Sequence, residues 1–401
     1  MTKVFQLNDE VAEIRDWVHE FGEKEIRPHA AHYDEIEETP WAVIEKAAEV
    51  GIYGMEFWIQ SFMEQSGLQL PVVTEELFWA DAGIALSIQG TLLGFAGLTS
   101  NGTMEQIGYW GPKCFGEPGN LAMACWCMTE PQAGSDVGAL RTRAVRDGDE
   151  WILNGTKVFI TNGGIADVHI VVATVDPALG HRGQATFVVP KGTPGLSQGK
   201  KEKKHGIRAS HTAEVIFDDC RIPMEYLLGG PDKLDKKLER ARSGQSTGRS
   251  GGLSTLETTR PAVAAQAIGV ARAAYEHALD YAMEREQFGK PIYENQAIAF
   301  KLADMATQID AARLLTWRAA SMAKSGASFD HAEGSMAKLF ASEVAVRVTE
   351  QAIQIHGGYG YIREFPVERL ARDAKIFTIY EGTSEIQRLV ISRALKASHG
   401  K

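Results

Sequence analysis

Up to about residue 120, the chain places its apolar residues at the spacing of amphipathic helices. In the segment VAEIRDWVHEFGEKEI, Val11, Ile14 and Val18 fall on one helical face and charged residues occupy the others. This periodicity predicts a helical N-terminal domain over residues 1–122.

From residue 123 to residue 228 the pattern changes to short runs of β-branched and aromatic residues, broken by Gly, Asn and Pro. Such runs are typical of strands, and they predict an antiparallel β domain. The pair Asn154-Gly155 suits a two-residue hairpin turn, because both central positions of that turn need a positive φ. The runs are EWILNGTKVFIT, VHIVVATVD, QATFVVP and TAEVIFDDCRIP.

Residues 229–255, GGPDKLDKKLERARSGQSTGRSGGLST, are basic and rich in Gly and Ser. This composition predicts a linker or a long loop. Its Lys and Arg side chains could contact a phosphate, but a solvated loop is the favoured interpretation.

Residues 256–401 return to helical spacing in several long stripes of apolar residues. Pro261 suits the first turn of one helix, and Thr383 or Ser384 can cap the last helix. Four long helices with apolar stripes predict an antiparallel four-helix bundle. The whole chain is therefore expected to belong to the α+β class.

Composition narrows the function classes. The 401 residues carry 52 acidic and 42 basic side chains, a formal net charge of -10, which disfavours nucleic acid as a partner. The four cysteines show no metal-binding spacing, so we expect reduced packing residues in a cytoplasmic protein and no metal site. The N-terminus lacks the features of a signal peptide, and no apolar run approaches the ~20 residues that span a bilayer, so membrane insertion is not expected.

Three segments are candidates for chemistry, and each also has a structural interpretation. MTEPQAGSD (residues 128–136) brings backbone N–H groups close to a ligand or simply forms a turn. QIHGGYGY (residues 354–361) places its glycines after a helix, which excludes a dinucleotide fingerprint, and His356 is interpreted as structural. IYEGTSEIQR (residues 379–388) presents Glu381 just before a helix, where the carboxylate is either catalytic or a helix cap.

Six segments in order resemble the motifs of the acyl-CoA dehydrogenases over nearly the whole chain: CMTEPQAGSD, NGTKVFITNGG, REQFGKPI, NQAIAFKLADM, QIHGGYGY and YEGTSEIQR. The resemblance implies a helical N-terminal domain, a middle antiparallel β-barrel-like domain and a C-terminal four-helix bundle. It also implies FAD bound between the β domain and the bundle, a homotetramer, an acyl-CoA substrate and electron transfer to an electron-transfer flavoprotein.

The same resemblance implies cofactor contacts residue by residue. Those near the flavin ring and its pyrophosphate are Trp126, Met128, Thr129, Ser135, Phe159 and Thr161. Those toward the adenosine end, given by a neighbouring subunit, are Arg285, Gln287, Phe288, Gln354 and Gly358. Thr383 and Glu385 are expected to contact the cofactor from the same subunit.

For the substrate, the resemblance implies that Glu381 is the base that takes the α-proton of the thioester. Tyr380 is expected to wall the pocket, and Gly382 to let the backbone turn so that the Glu381 side chain and N–H both face the substrate. Members that take their base from another helix carry it at the position of Thr259, which cannot serve as a base. The remaining substrate contacts implied by the family are Ser135, Arg260 and Glu257, the last standing where a shorter Asp is common.

Gly83 stands where members specialised for dicarboxyl substrates carry an arginine, so an uncharged acyl group is expected. His211, in ASHTAEV, replaces a more usual acid or serine and has no functional interpretation from sequence. The expected activity is dehydrogenation of an acyl-CoA to the trans-2,3-enoyl-CoA. The alternatives are an acyl-CoA oxidase that uses oxygen and a helical partner subunit without activity.

Overall fold

The computed structural model describes residues 7–244 and 251–399, with the backbone alone for residues 251–258. The N-terminal part is helical, as predicted. Its first helix begins because the Asn8 side chain accepts a hydrogen bond from the Val11 N–H at 2.8 Å. The helices are α1 Asp9–Phe21, α2 Ala30–Ile36, α3 Trp41–Glu49, α4 Met55–Met63, α5 Gln69–Ala80, α6 Ala82–Gln89, α7 Thr91–Asn101 and α8 Met104–Trp110.

Helices α5 and α6 form the centre of this domain, and their side chains are almost all buried, while α7 buries one face. The segment Ala82–Asn101 is long and apolar enough to cross a bilayer, contrary to the expectation that no run approaches that length. Most of it is buried inside the protein, as is usual for the core helix of a folded domain.

The middle domain contains a seven-stranded sheet in the order β3-β6-β4-β5-β9-β8, with β7 paired to β6. Its pairs are mainly antiparallel, as predicted, but β6 runs parallel to β3 and, at Arg143 and Thr174, to β4, so the sheet is mixed. Local strand patterns do not encode the pairing partner, which is why the sequence missed this. The strands, including a separate β1–β2 pair, are β1 Gly116–Glu117, β2 Asn120–Leu121, β3 Ala124–Cys127, β4 Arg143–Asp147, β5 Glu150–Thr161, β6 Val168–Thr174, β7 Gln184–Pro190, β8 Leu196–Lys201 and β9 Thr212–Pro223.

The predicted hairpin turn at Asn154-Gly155 was wrong, because both residues lie inside the long strand β5. There the register with β9 shifts, and the Asn154 amide donates to Asp219 at 3.0 Å across the irregularity. A Cβ on Gly155 would lie 2.5 Å from Thr142 Oγ1, so glycine is needed for close approach of the chains rather than for a turn.

The predicted linker over residues 229–255 also needs correction. Pro231–Arg242 forms a helix, α9, whose buried residues Leu234, Leu238 and Ala241 recur at intervals of four and three. The Lys237 ammonium group donates to the Gln184 carbonyl at 2.6 Å, which ties α9 to the β domain. The many charged residues on the opposite face masked this amphipathic pattern in the sequence. Residues 245–250 lie outside the described part of the chain.

The C-terminal part contains the predicted bundle. Pro261 lies inside the first helix rather than at its start. Because this helix packs along its length on α5 and on another bundle helix, tertiary contacts compensate for the hydrogen bond that proline removes. The elements are α10 Gly251–Glu284, β10 Glu286–Gln287, β11 Lys290–Pro291, α11 Gln296–Ser325, α12 Glu333–His356, α13 Val367–Ala374 and α14 Ser384–Ser398.

A buried ion network joins the N-terminal helices to the bundle. Glu75 on α5 accepts from Arg272 on α10 at 2.9 Å and from Arg313 on α11 at 2.8 Å. Arg272 also pairs with Glu76 of α5. Because both carboxylates are buried, both arginines are partly buried and each charge has a partner, the network fixes α5 against the two bundle helices.

A second junction joins all three domains. Asp373 on α13 accepts a hydrogen bond from the Ile207 N–H of the β domain at 2.5 Å. Asp81, which caps α6, pairs with Arg369 of α13 at 3.2 Å. Burial and the nearby Asp81 carboxylate raise the pKa of Asp373 to about 7.

Candidate active site

The turn that precedes α14 gives the site its shape. Glu381 has φ 53° and Gly382 has φ 93°, so two consecutive residues lie in the left-handed region. Thr383 then caps α14 by accepting from the Ile386 N–H at 3.3 Å, as the sequence predicted for this position. A non-glycine residue in this conformation costs conformational energy and is typical of functional sites.

The Glu381 carboxyl group sits in a half-buried environment between bundle helices. Burial raises its pKa, while the positive charges of Lys338 and Arg260 act in the opposite direction. A carboxylate whose pKa is raised by loss of water is a stronger proton acceptor than an exposed one. This is the environment that a general base requires.

Two buried side chains hold the turn by donating hydrogen bonds to its main-chain carbonyls. Lys338 on α12 donates to the carbonyls of Phe377 at 2.6 Å and Gly382 at 2.7 Å. Gln387 on α14 donates to the same Gly382 carbonyl at 3.0 Å and to the Glu381 carbonyl at 3.3 Å. The sequence reasoning missed both residues, although a lysine among small residues on the buried face of a helix is a signal of internal pairing.

Tyr380 and Arg260 lie beside the base. The Tyr380 hydroxyl donates to Gln266 Oε1 on α10, and its ring packs 5.9 Å from the ring of Phe377. Arg260 is 3% exposed and donates to Ser335 Oγ at 2.5 Å. It therefore lies within the bundle next to the base, and its contact with coenzyme A stays a prediction. The side chain of the other expected contact, Glu257, lies outside the described residues.

A second group of predicted residues meets where β3 ends beside β5. The Thr129 carbonyl accepts from the Val158 N–H at 2.9 Å, which brings Met128 and Thr129 next to Phe159. Thr161 follows on the same strand, and the methyl group of its side chain is 2.9 Å from a Cβ built on Gly90. The structure thus brings together residues that lie more than 25 positions apart in the sequence.

A buried ion pair braces this group. The Lys157 ammonium group donates to Glu130 at 2.7 Å and to the Met128 carbonyl at 3.0 Å. Burial acts to raise the pKa of Glu130, but hydrogen bonds from Lys157, Thr142 and Arg141 outweigh it and lower the pKa to about 2. Sequence reasoning missed this pair, although both residues flank the predicted contacts.

These residues fit a flat cofactor ring. Phe159 is 65% exposed and has φ 58°, so an aromatic side chain is held outward by an unfavourable backbone conformation. Trp126 packs beside α7 only because position 97 is glycine, since a Cβ there would lie 2.3 Å from the indole ring. Together with the Thr129 and Thr161 hydroxyls, they present apolar surface with a few polar groups, as planar ligands require.

The N-terminal helices lie against both parts of the site. Phe78 on α5 packs 6.3 Å from the ring of Phe377, just before the base, while Gly90, between α6 and α7, adjoins Thr161. The N-terminal helices therefore pack against both the segment that carries the base and the group of residues around Phe159.

The residues predicted to reach a neighbouring subunit's cofactor lie on the surface. Arg285 lies 5.5 Å from the ring centroid of Tyr359, which brings the REQFGKPI and QIHGGYGY segments together. Phe288 is 95% exposed with φ 55°. The other members are also exposed: Gln287, Gln354 and Gly358.

Three remaining predictions concern polar residues. Ser135 is exposed in the loop after β3, and Glu385 is exposed in the first turn of α14. His356 is buried and stacks on Tyr281 at 4.2 Å, in agreement with a structural role. His211, for which the sequence suggested no role, is buried with its Nε2 3.0 Å from the Gly163 carbonyl oxygen, so it supports the turn after β5.

Within residues 7–244 and 251–399, no group of three or more His, Cys, Asp or Glu side chains is arranged to hold a metal ion. All four cysteines are buried and unpaired by disulfides.

Comparison with known proteins finds one family along the chain. The N-terminal, middle and C-terminal domains of acyl-CoA dehydrogenase match residues 8–117, 125–220 and 248–396. The mitochondrial short-chain specific acyl-CoA dehydrogenase of Bos taurus is 42% identical over 392 residues, which cover 96% of this chain and 90% of the relative.

Solved structures agree. Butyryl-CoA dehydrogenase from Megasphaera elsdenii matches with a TM-score of 0.86 and 38% identity, over 98% of this chain and 99% of that chain. A chain from the structural study of the electron transferring flavoprotein of Acidaminococcus fermentans matches with a TM-score of 0.85 and 39% identity, over 98% and 99%.

Proposed function

Because the chain belongs to the acyl-CoA dehydrogenase family, we propose that Glu381 is its catalytic base and that FAD is its flavin. The protein is an oxidoreductase that acts on CH–CH bonds: it dehydrogenates an acyl-CoA thioester and passes the electrons to electron-transfer flavoprotein. The observation that carries the assignment of the base is the Glu381 carboxyl group, half-buried in a left-handed turn with a raised pKa.

The proposed step begins with removal of the α-proton. The α-hydrogen of a thioester is weakly acidic, so a base of raised pKa close to the α-carbon lowers the barrier. The Glu381 carboxylate accepts this proton, and the backbone N–H of the same residue donates to the thioester oxygen, where negative charge develops. Gly382 allows this arrangement, because its φ of 93° turns the chain directly after the base.

For the cofactor, the cluster formed by Trp126, Met128, Thr129, Phe159 and Thr161 would hold the flavin ring, supported by the Glu130–Lys157 pair. When bound, FAD supplies the hydride acceptor for the β-carbon. Ser135, Thr383 and Glu385 would contact the cofactor from the same subunit. The residues proposed to contact a neighbouring subunit's FAD are Arg285, Gln287, Phe288, Gln354 and Gly358.

A homotetramer is proposed because some of the residues expected to contact FAD would reach the cofactor of a neighbouring subunit. The five residues that would reach a neighbouring cofactor are all exposed in the single subunit. Phe288 is the extreme case, with 95% of its surface accessible. Large apolar side chains exposed near functional motifs are typical of interfaces. Sedimentation of the FAD-bound protein at several concentrations tests the assembly.

The proposed substrate carries a short, uncharged acyl group. A Cβ on Gly83 would lie 3.1 Å from the Ala209 Cβ and 3.2 Å from the Ala209 nitrogen, so any larger residue there would require Ala209 to shift. The matched relatives include a short-chain enzyme and a butyryl-CoA enzyme. Anaerobic titration with butyryl-, octanoyl-, isovaleryl- and glutaryl-CoA compares chain length, branching and charge directly.

Glu381→Gln tests the base. The change keeps the side-chain volume but removes proton acceptance, so the variant should bind FAD normally and lose substrate-induced bleaching of the flavin by at least ~1,000-fold. Anaerobic stopped-flow absorbance measures the bleaching, and the visible spectrum measures bound FAD. Glu56→Gln, an exposed acid on α4, is the matched control and should behave as the wild type.

Near-normal bleaching in Glu381→Gln would overturn the assignment of the base. A protein that stays colourless after reconstitution with FAD would instead overturn the cofactor. Rapid reoxidation by oxygen with release of peroxide, and no reduction of electron-transfer flavoprotein, would identify an oxidase.

A further inference from the structure

Lys338 is a charged residue at the centre of the bundle. Its side chain is 0% exposed, and it stands on α12 among small and apolar residues. Its ammonium group donates to the Phe377 carbonyl at 2.6 Å and to the Gly382 carbonyl at 2.7 Å. The two bonds connect the residues on either side of the base.

These two hydrogen bonds hold the segment 377–382, which contains a strained residue. Glu381, with φ 53°, lies between Phe377 and Gly382 in sequence, so its conformation persists only if the surrounding structure holds both ends. Gln387 reinforces one end by donating to the Gly382 carbonyl at 3.0 Å. Lys338 and Gln387 thus both donate to the Gly382 carbonyl. Of these two residues, only Lys338 also donates to the Phe377 carbonyl.

The charge of Lys338 acts on the base as well. The groups that act electrostatically on this lysine are Glu381 of the turn, Arg260 on α10 and Glu385 on α14. Burial lowers the pKa of Lys338 to about 8, although Glu381 acts to raise it. On Glu381, burial raises the pKa while Lys338 and then Arg260 lower it. Tyr380, beside the base, adds no positive charge.

We propose that Lys338 is a positioning residue for the dehydrogenation: its two carbonyl hydrogen bonds hold Glu381 in the left-handed conformation that aims the carboxylate at the substrate, and its buried cation keeps that carboxylate ionised. This inference rests on the proposed role of Glu381. It assigns to one side chain both the geometry of the base and the pH range in which the base is active.

The test compares two donors to the same carbonyl. Lys338→Met removes both hydrogen bonds and the charge, whereas Gln387→Leu removes hydrogen bonds without changing charge. Both variants should bleach more slowly with substrate, by ~10-fold or more, because the base is less well placed. Only Lys338→Met should shift the acidic limb of the rate to higher pH, by ~1 unit or more, because the base then ionises less readily.

The measurements are anaerobic stopped-flow bleaching of the FAD-bound protein from pH 5 to pH 9 and infrared difference spectra of the carboxyl stretch. Subtraction of the Glu381→Gln spectrum isolates the base, whose titration should move upward in Lys338→Met without any substrate present. Lys396→Met, an exposed lysine on α14, is the control for loss of one positive charge and should leave both readouts unchanged.

An acidic limb and an infrared titration unchanged in Lys338→Met would overturn the proposal and leave Lys338 a packing residue. If Lys338→Met does not fold, Lys338→Gln, which is neutral but retains a donor, takes its place. Failure of both to fold also overturns the proposal in favour of a role in stability. Normal bleaching in Glu381→Gln would instead show that the proposed base is wrong, so the two failures are distinguishable.

Discussion

At the scale of single residues, function depends on backbone conformations that most side chains avoid. Glu381 and Phe159 both have positive φ, at 53° and 58°, and one is the proposed base while the other is an exposed aromatic at the proposed flavin site. Each conformation costs roughly 1–3 kcal/mol and persists because neighbouring groups hold the chain. Each of the two parts of the site therefore contains one strained residue.

Gly97 offers a test at this scale. A Cβ there would lie 2.3 Å from the Trp126 ring, so Gly97→Ala forces the indole out of place. We expect the variant to lose about 1–3 kcal/mol of unfolding free energy. It should also bind FAD more weakly, because Trp126 lines the proposed ring site. Chemical denaturation followed by fluorescence and titration of the apoprotein with FAD measure the two effects.

Gly108 in α8 is the matched control, because nothing lies within 4 Å of a Cβ at that position. Alanine is a better helix former than glycine by about 1 kcal/mol, so Gly108→Ala should be neutral or stabilising with unchanged FAD affinity. Equal effects of the two substitutions would contradict the proposed contact between α7 and Trp126.

At the scale of elements, the site depends on how secondary structures are joined. The end of β3 is held against β5 by the buried Lys157–Glu130 pair, both members of which are at most 3% exposed. The turn before α14 is held by residues of α12 and α14 in the same manner. In both places a side chain donates to main-chain carbonyls that the local secondary structure leaves unpaired.

Lys157→Met tests the first of these joints. The variant leaves the Glu130 carboxylate buried without its cation, which should cost about 3–5 kcal/mol of unfolding free energy. The double variant Glu130→Gln/Lys157→Met removes both charges and should be more stable than the single one. Chemical denaturation of the three proteins at pH 7 gives the values. A double variant less stable than Lys157→Met would contradict the explanation by an uncompensated charge.

At the scale of the whole molecule, the three domains meet at a buried carboxyl group. Asp373 bonds the Ile207 N–H of the β domain and lies close to Asp81 of the N-terminal domain. Its pKa is raised by burial from 3.8 to about 7. Since the folded protein binds this proton more tightly than the unfolded chain does, the stabilisation is complete below pH 3.8 and is lost as the pH rises to about 7.

Asp373→Asn imitates the protonated form. Its stability relative to the wild type should therefore increase as the pH rises. At pH 8 we expect the variant to be more stable by about 4 kcal/mol, at ~1.4 kcal/mol per pKa unit, and the difference should vanish near pH 4. Thermal unfolding from pH 4 to pH 8 measures it. Asp235→Asn, on the exposed face of α9, is the control and should show no such trend. A variant with the wild-type pH profile would contradict the raised pKa.

Much of this protein was determined locally and could be predicted. The helical and strand regions follow from the spacing of apolar residues, and the Thr383 cap follows from a hydroxyl before a helical stripe. The resemblance of six segments identified the family before any contact was known. The helix at Pro231–Arg242 was missed because charged residues dominate its exposed face and hide a narrow apolar stripe.

Other features depend on contacts between distant segments, so only the tertiary structure decided them. The parallel pairing of β3 with β6, the hydrogen bond from Lys338 to the Gly382 carbonyl and the approach of Ile207 to Asp373 join residues 44 to 166 positions apart. A sequence pattern reports whether a residue suits the interior, but not which neighbour it meets there. For Glu381 that neighbour decides the chemistry, because burial raises its pKa and the Lys338 charge opposes the rise.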